Sequence, residues 1–222
     1  MNDRLPTPFE PERLQLDGGP GVKVTASIAA RKHLVAWSLD QKVRSCHEAS
    51  HALAAAVLGI PVKAVDISDW DSGHTEFGLT SDDVPQTRTD AQILDQIVVA
   101  LAAAAGERAL LGQATAGGSA DLTAATQLAY QRFDAGLDPA APFLSPNGIP
   151  FSLGSSDAAN AFYQAALATL DRCRTRAESL IDEHRAEVLS LAEAVYRARR
   201  LSGTELEQVL AGLDIAPRPP GS

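Results

Sequence analysis

His47-Glu48-Ala49-Ser50-His51 is the stretch on which the reading of this chain turns. It is an H-E-x-x-H pattern inside a run that reads as a helix. Four residues of α-helix advance about 400°, so His47 and His51 leave one face roughly one turn apart. Two imidazoles at that spacing can hold one zinc ion between them. Glu48 points about 100° away. It is badly placed as a ligand but well placed to serve as a base beside the metal. The pattern points to a zinc hydrolase, and first to a peptidase.

The flanks support a helix. Val43 precedes the motif, and Ala52-Leu53-Ala54-Ala55-Ala56-Val57-Leu58 follows it, apolar enough for a core helix. Gly59 and Pro61 then supply a stop. Catalytic zinc usually takes three protein ligands. His74, Glu76, Glu107 and Asp121 are the candidates for the third. His74 follows Gly73 in an expected hairpin. Glu107 lies in a helical stretch, where it is either a hydrogen-bond partner for a ligand or a solvated charge. Asp121 is the best placed of the four. It follows the flexible Gly117-Gly118 pair and falls in the first turn of a new helix, where a carboxylate otherwise serves only the helix dipole.

Further from the motif, a short helix is expected over 26–38. Strands are expected over Val62–Ser68 and Gly73–Thr80, and a polar loop over 81–88. Helices follow at about 89–111 and 120–135. Residues 136–154 read as a long irregular stretch, either a rim over the site or a surface connection. From Ser156 the chain is helical again, with Ala166, Leu170, Cys173, Ala177, Leu180 and Ile181 at three- and four-residue steps. Leu189 to Ala198 continues that helix, and a final short one starts near Ser202-Gly203-Thr204-Glu205, capped by Ser202 or Thr204. The Pro- and Gly-rich residues 1–25 read as a flexible arm, 26–213 as one domain and 214–222 as a tail.

Composition sets outer limits. The net charge of -9 excludes nucleic acid and anionic membrane surfaces as expected partners. The only cysteines are Cys46 and Cys173, which fits a reducing compartment without a disulfide framework. The expected location is cytoplasmic, since no signal peptide and no apolar run of about 18 residues is present.

Several segments together resemble the peptidase domain of the FtsH-type ATP-dependent zinc metalloproteases. His47 to Leu53 is similar to that family's H-E-A-G-H-A-L, with Ser50 in place of Gly. Phe77-Gly78-Leu79-Thr80 resembles its L-G-Y-T, Gly106-Glu107-Arg108 through Gly112 its A-E-E-x-x-x-G, and Thr115 to Asp121 its T-G-A-x-N-D. Leu122-Thr123-Ala124-Ala125-Thr126 continues as L-x-x-A-T. The resemblance implies His47, His51 and Asp121 as zinc ligands, Glu48 as base and Glu107 as a supporting acid. Ala120 stands where the family has Asn, and Gly117-Gly118-Ser119 is an altered loop. No G-x-x-x-x-G-K-[ST] occurs in the sequence, so the expectation is a peptidase domain without its ATPase.

The expected fold is therefore a mainly helical, zincin-like α+β domain with a small hairpin or sheet at the cleft. The expected activity is that of a zinc metalloendopeptidase cutting flexible or unfolded polypeptides, with Phe77, Gly78, Leu79 and Thr80 taking the substrate as an added strand. A homo-oligomeric ring or an ATPase acting in trans is the expected partner. The other reading is a non-catalytic zinc-containing domain that binds peptides or regulates. Retention of Glu48 speaks against it, because a structural zinc site needs no base.

Overall fold

The computed structural model describes residues 28–69, 72–78, 88–138 and 156–216. Contacts divide the chain into two units, Met1–Asp40 and Gln41–Ser222. The arm expected over 1–25 and most of the tail expected over 214–222 lie outside the described residues, as do Leu79, Thr80 and the stretch from 139 to 155.

Helix α1 spans Ile28–Val57. The short helix expected over 26–38 is not separate from the one carrying the histidines. No Gly or Pro interrupts this run, so nothing in it breaks the backbone hydrogen bonding. The chain leaves α1 through Gly59, whose φ of 74° lies in the left-handed region. Strand β1, Val62–Asp66, follows, then β2, His74–Phe77, antiparallel to it. Both are shorter than the sequence suggests.

Helix α2, Asp90–Leu111, opens with a capping box: Thr89 accepts from the Gln92 amide and the Gln92 side chain accepts from the Thr89 amide. It closes at Gly112, with φ 82°. A 3-10 turn at Ala116–Gly118 leads into α3, Ser119–Asp134. Helix α4 covers Ser156–Glu183 and α5 covers Arg185–Ala198. A single continuing helix was expected here. The chain breaks at His184, where no Gly or Pro marks the spot.

At the end of α5, Arg199 takes φ 67° and turns the chain back into a third strand, β3, Arg200–Ser202. Sequence reading missed this strand, since three residues are too few to show alternation. It pairs antiparallel with β1, giving the order β2-β1-β3. Helix α6, Gly203–Ala211, follows. Ser202 is at its N-cap position, without a side-chain capping hydrogen bond. The described part is thus mainly helical α+β with a three-stranded antiparallel sheet.

Small residues fill much of the core of the second unit. Ala49, Ala52, Leu53, Ala54 and Ala55 of α1 are buried, as are Ile97, Val98, Ala102 and Ala103 of α2. Alanine-rich faces let helix axes approach closely. Ser50 and Gly106 meet closely, since a Cβ on Gly106 would lie 1.8 Å from Ser50 Oγ. Ser50 uses that space and donates to the Cys46 carbonyl at 2.6 Å. On the sheet, Val65 pairs with Thr75 on one side and Leu201 on the other, and Val65 and Leu201 are buried. Cross-strand partners share a face, so Thr75 points the same way as Val65. Cys46 and Cys173 are free and buried. Among the described residues, no helix is long and apolar enough to cross a membrane.

Candidate metal centre

His47 and His51 stand on α1 with ring centroids 4.9 Å apart. Each ring has its Nδ1 engaged. His47 Nδ1 lies 2.7 Å from Glu107 Oε1, and His51 Nδ1 donates to the Val99 carbonyl at 2.8 Å. Both partners belong to α2. These bonds leave both Nε2 atoms directed at Asp121, with His47 Nε2 3.1 Å from Oδ2 and His51 Nε2 3.4 Å from Oδ1. Asp121 sits in the first turn of α3. Beside it, a Cβ on Gly118 would meet Asp121 Oδ2 at 3.7 Å and His47 Cε1 at 3.8 Å, in ordinary van der Waals contact with the cluster.

One ligand atom from each of His47, His51 and Asp121 can be chosen so that all lie within 4.8 Å of one another. Two atoms bound at about 2.0–2.1 Å to a tetrahedral zinc lie about 3.3 Å apart. The 3.1 and 3.4 Å separations are close to that spacing but run to different oxygens of Asp121, while the three donors taken one per residue lie within 4.8 Å. The donor set of two neutral nitrogens and one carboxylate also suits zinc. Both imidazoles carry the rear hydrogen bond that fixes ring and tautomer in metal sites.

The electrostatics favour a cation at this point. Burial pulls His47 down, but the carboxylates of Asp121 and Glu107 on its two nitrogens and the charge of Glu48 outweigh that and raise its pKa to about 10. Burial pushes Asp121 up, yet the two imidazoles hold it well below the usual carboxylate range. Glu107 is 1% exposed and also lowered, since the bonds from His47 and Thr115 exceed the cost of burial.

Glu48 is buried on the same helix. Its Oε2 accepts from Thr75 Oγ1 at 2.8 Å, and a Cβ on Gly73 would come within 2.9 Å of its Oε1. The remaining sequence candidates fall elsewhere. His74 and Glu76 are exposed on β2 and do not join the cluster. Phe77 pairs with Val62, and Gly78 donates to the Pro61 carbonyl at 2.6 Å, at the end of β2 away from Thr75. Beside Glu48 stand instead Thr75 of β2 and Gly73 just before that strand, neither of which the sequence assigned to the site. Their only signal was position, two residues apart at the start of an expected strand. The carbonyl of Val99 and the amide of Thr115 left no signal at all, because backbone groups are the same in every residue.

No protein-family model matches the chain. Individual proteins do. The chain is 30% identical over 202 residues to the ATP-dependent zinc metalloprotease FtsH 1 of Symbiobacterium thermophilum, covering 87% of this chain and 31% of that protein. It is 26% identical over 207 residues to the ATP-dependent zinc metalloprotease FtsH of Thermobaculum terrenum, covering 87% and 32%. With the ATP-dependent zinc metalloprotease FtsH 2 of Sorangium cellulosum it shares 29% identity over 198 residues, covering 78% and 32%. Over most of its length, this chain is a relative of the FtsH ATP-dependent zinc metalloproteases and spans about a third of the length of those it matches.

Proposed function

We propose that these 222 residues form a zincin-like zinc metalloendopeptidase domain that cuts flexible polypeptides. The observation that carries this reading is the meeting of His47, His51 and Asp121, with Glu48 one residue after the first ligand. A bound zinc ion would supply Lewis-acid chemistry, polarising a carbonyl and making a water more acidic. His47, His51 and Asp121 would hold that ion, and Glu107 and the Val99 carbonyl fix the two rings that would do so. Glu48 acts as the base: its carboxylate takes a proton from the attacking water and passes it to the amine nitrogen as the peptide bond breaks. Strand β2 is at an edge of the sheet, so an extended substrate can pair along it. A single extended chain fits such an edge, whereas a stable domain must first open at a cost of about 5–15 kcal/mol. A ring of copies or an ATPase acting in trans is the partner this reading favours. A cytoplasmic setting agrees with two free thiols.

The test combines zinc analysis with digestion of β-casein and of a stable folded protein, with and without ATP. Wild type should carry about one zinc per chain, digest casein without ATP and leave the folded protein intact. Glu48→Gln should keep the zinc and lose about 10²–10⁴-fold in rate. Casein digestion by Glu48→Gln at the wild-type rate would remove Glu48 from the mechanism.

A further inference from the structure

Glu48 is 5% exposed, so water cannot be the main support of its carboxylate. A buried carboxylate free to rotate would spend much of its time turned away from the reaction. Thr75 Oγ1 approaches it at 2.8 Å and the Glu48 backbone carbonyl at 3.1 Å. A hydroxyl has one proton, and the shorter, charge-assisted bond to the carboxylate is the stronger of the two. The donor itself is held firmly. Thr75 is β-branched and stiff at χ1. Its backbone pairs with Val65 in the central strand. The loop before it is tied to α1 by Arg44, whose guanidinium donates to the carbonyls of Asp69 and, at 2.9 Å, of Ser72. Gly73 completes the slot, because any Cβ there would press on Oε1.

We propose that Thr75 is a positioning residue that anchors Oε2 of Glu48, leaving Oε1 to handle the proton. The proposal rests on the peptidase reading given above. It explains why a base on a helix is set by a residue of the sheet: hairpin and catalytic helix are joined at the carboxylate itself.

The test compares Thr75→Val, which keeps shape and removes the donor, with Thr75→Ser, which keeps the donor. Each zinc-loaded full chain is assayed for kcat and KM on a short fluorogenic peptide, for zinc content and for melting temperature. Thr75→Val should lose about tenfold to a hundredfold in kcat. Its KM should change by less than about twofold, because substrate contacts are untouched, and its zinc should be retained. Thr75→Ser should recover most of kcat. Full activity in Thr75→Val, or equal loss in both variants, overturns the proposal. If Thr75→Val does not fold, Thr75→Ala replaces it, and failure of both to fold makes Thr75 structural and ends the proposal. A wild type that binds zinc but cuts neither peptide nor casein defeats the peptidase reading first, and the proposal with it.

Discussion

The three side chains of the candidate centre are not equivalent. His47 and His51 are locked from behind by α2, while Asp121 comes from the first turn of α3 and is 29% exposed. Removing the aspartate takes away a third of the proposed protein ligands and the charge that faces both Nε2 atoms. Asp121→Ala should therefore lose most of its zinc, measured by elemental analysis after dialysis. Full retention would assign the third ligand to another residue. Glu107 braces His47 and also accepts from the Thr115 amide at the start of the loop leading to Asp121, so Glu107→Gln should weaken zinc by about 10–100-fold and leave the stoichiometry at saturation unchanged. A competition titration with a chelator separates the two variants. The sequence marked Glu107 as either a hydrogen-bond partner or a solvated charge. Its burial and its 2.7 Å contact with His47 Nδ1 decide for the first.

At the level of elements, the crossing of α1 and α2 is as important as any ligand. Ser50 stands where the resembling family has glycine, and Gly106 opposite it provides the room. The two positions act as a complementary pair across the helix contact. Gly106→Ala forces a methyl into a space already filled by the Ser50 side chain, an overpacking that typically costs about 1–3 kcal/mol. A lower midpoint in urea should report it. Adding Ser50→Gly should recover part of the loss, with a coupling of about 0.5–3 kcal/mol for residues in contact. Strict additivity would mean that the helices shift to absorb the methyl. Activity should fall with stability in the single variant, because His51 donates its rear hydrogen bond to the Val99 carbonyl of α2, about two turns from Gly106. The sequence showed both helices and their ends, but not their crossing, since a helix pattern gives a buried face without naming the neighbour.

For the molecule as a whole, α2, α3 and α4 are tied at one buried cation. Arg132 of α3 is 3% exposed. It bonds both oxygens of Asp90 at the start of α2, Asp138 beyond α3, and Thr169 of α4 at 3.3 Å. Removing one member of such a buried network leaves charges without partners, at a cost of about 3–5 kcal/mol. Asp90 is 38% exposed and can recover water, so the lower end applies. Arg132→Met should lower stability by about 3 kcal/mol, with the zinc site unchanged in stoichiometry at temperatures where the variant is folded. A drop below about 0.5 kcal/mol would show that Asp138 and Thr169 find water or other partners.

What the sequence determined by itself is local. The spacing of His47 and His51 sets their common face, because helix geometry over four residues leaves little freedom. Gly59 and Gly112 end helices because each supplies a left-handed φ at a helix exit. Apolar periodicity located α4 for the same kind of reason. The choice of partners belongs to the tertiary structure. Asp121 reaches the histidines across 74 residues only because α3 starts beside α1. Thr75 meets Glu48 because the hairpin folds onto α1, and β3 exists because β1 offers it an edge. A three-residue strand has no pattern of its own, and a hydrogen bond between distant residues has no period. Both are set by how finished elements pack, which depends on the whole buried surface rather than on any one stretch of chain.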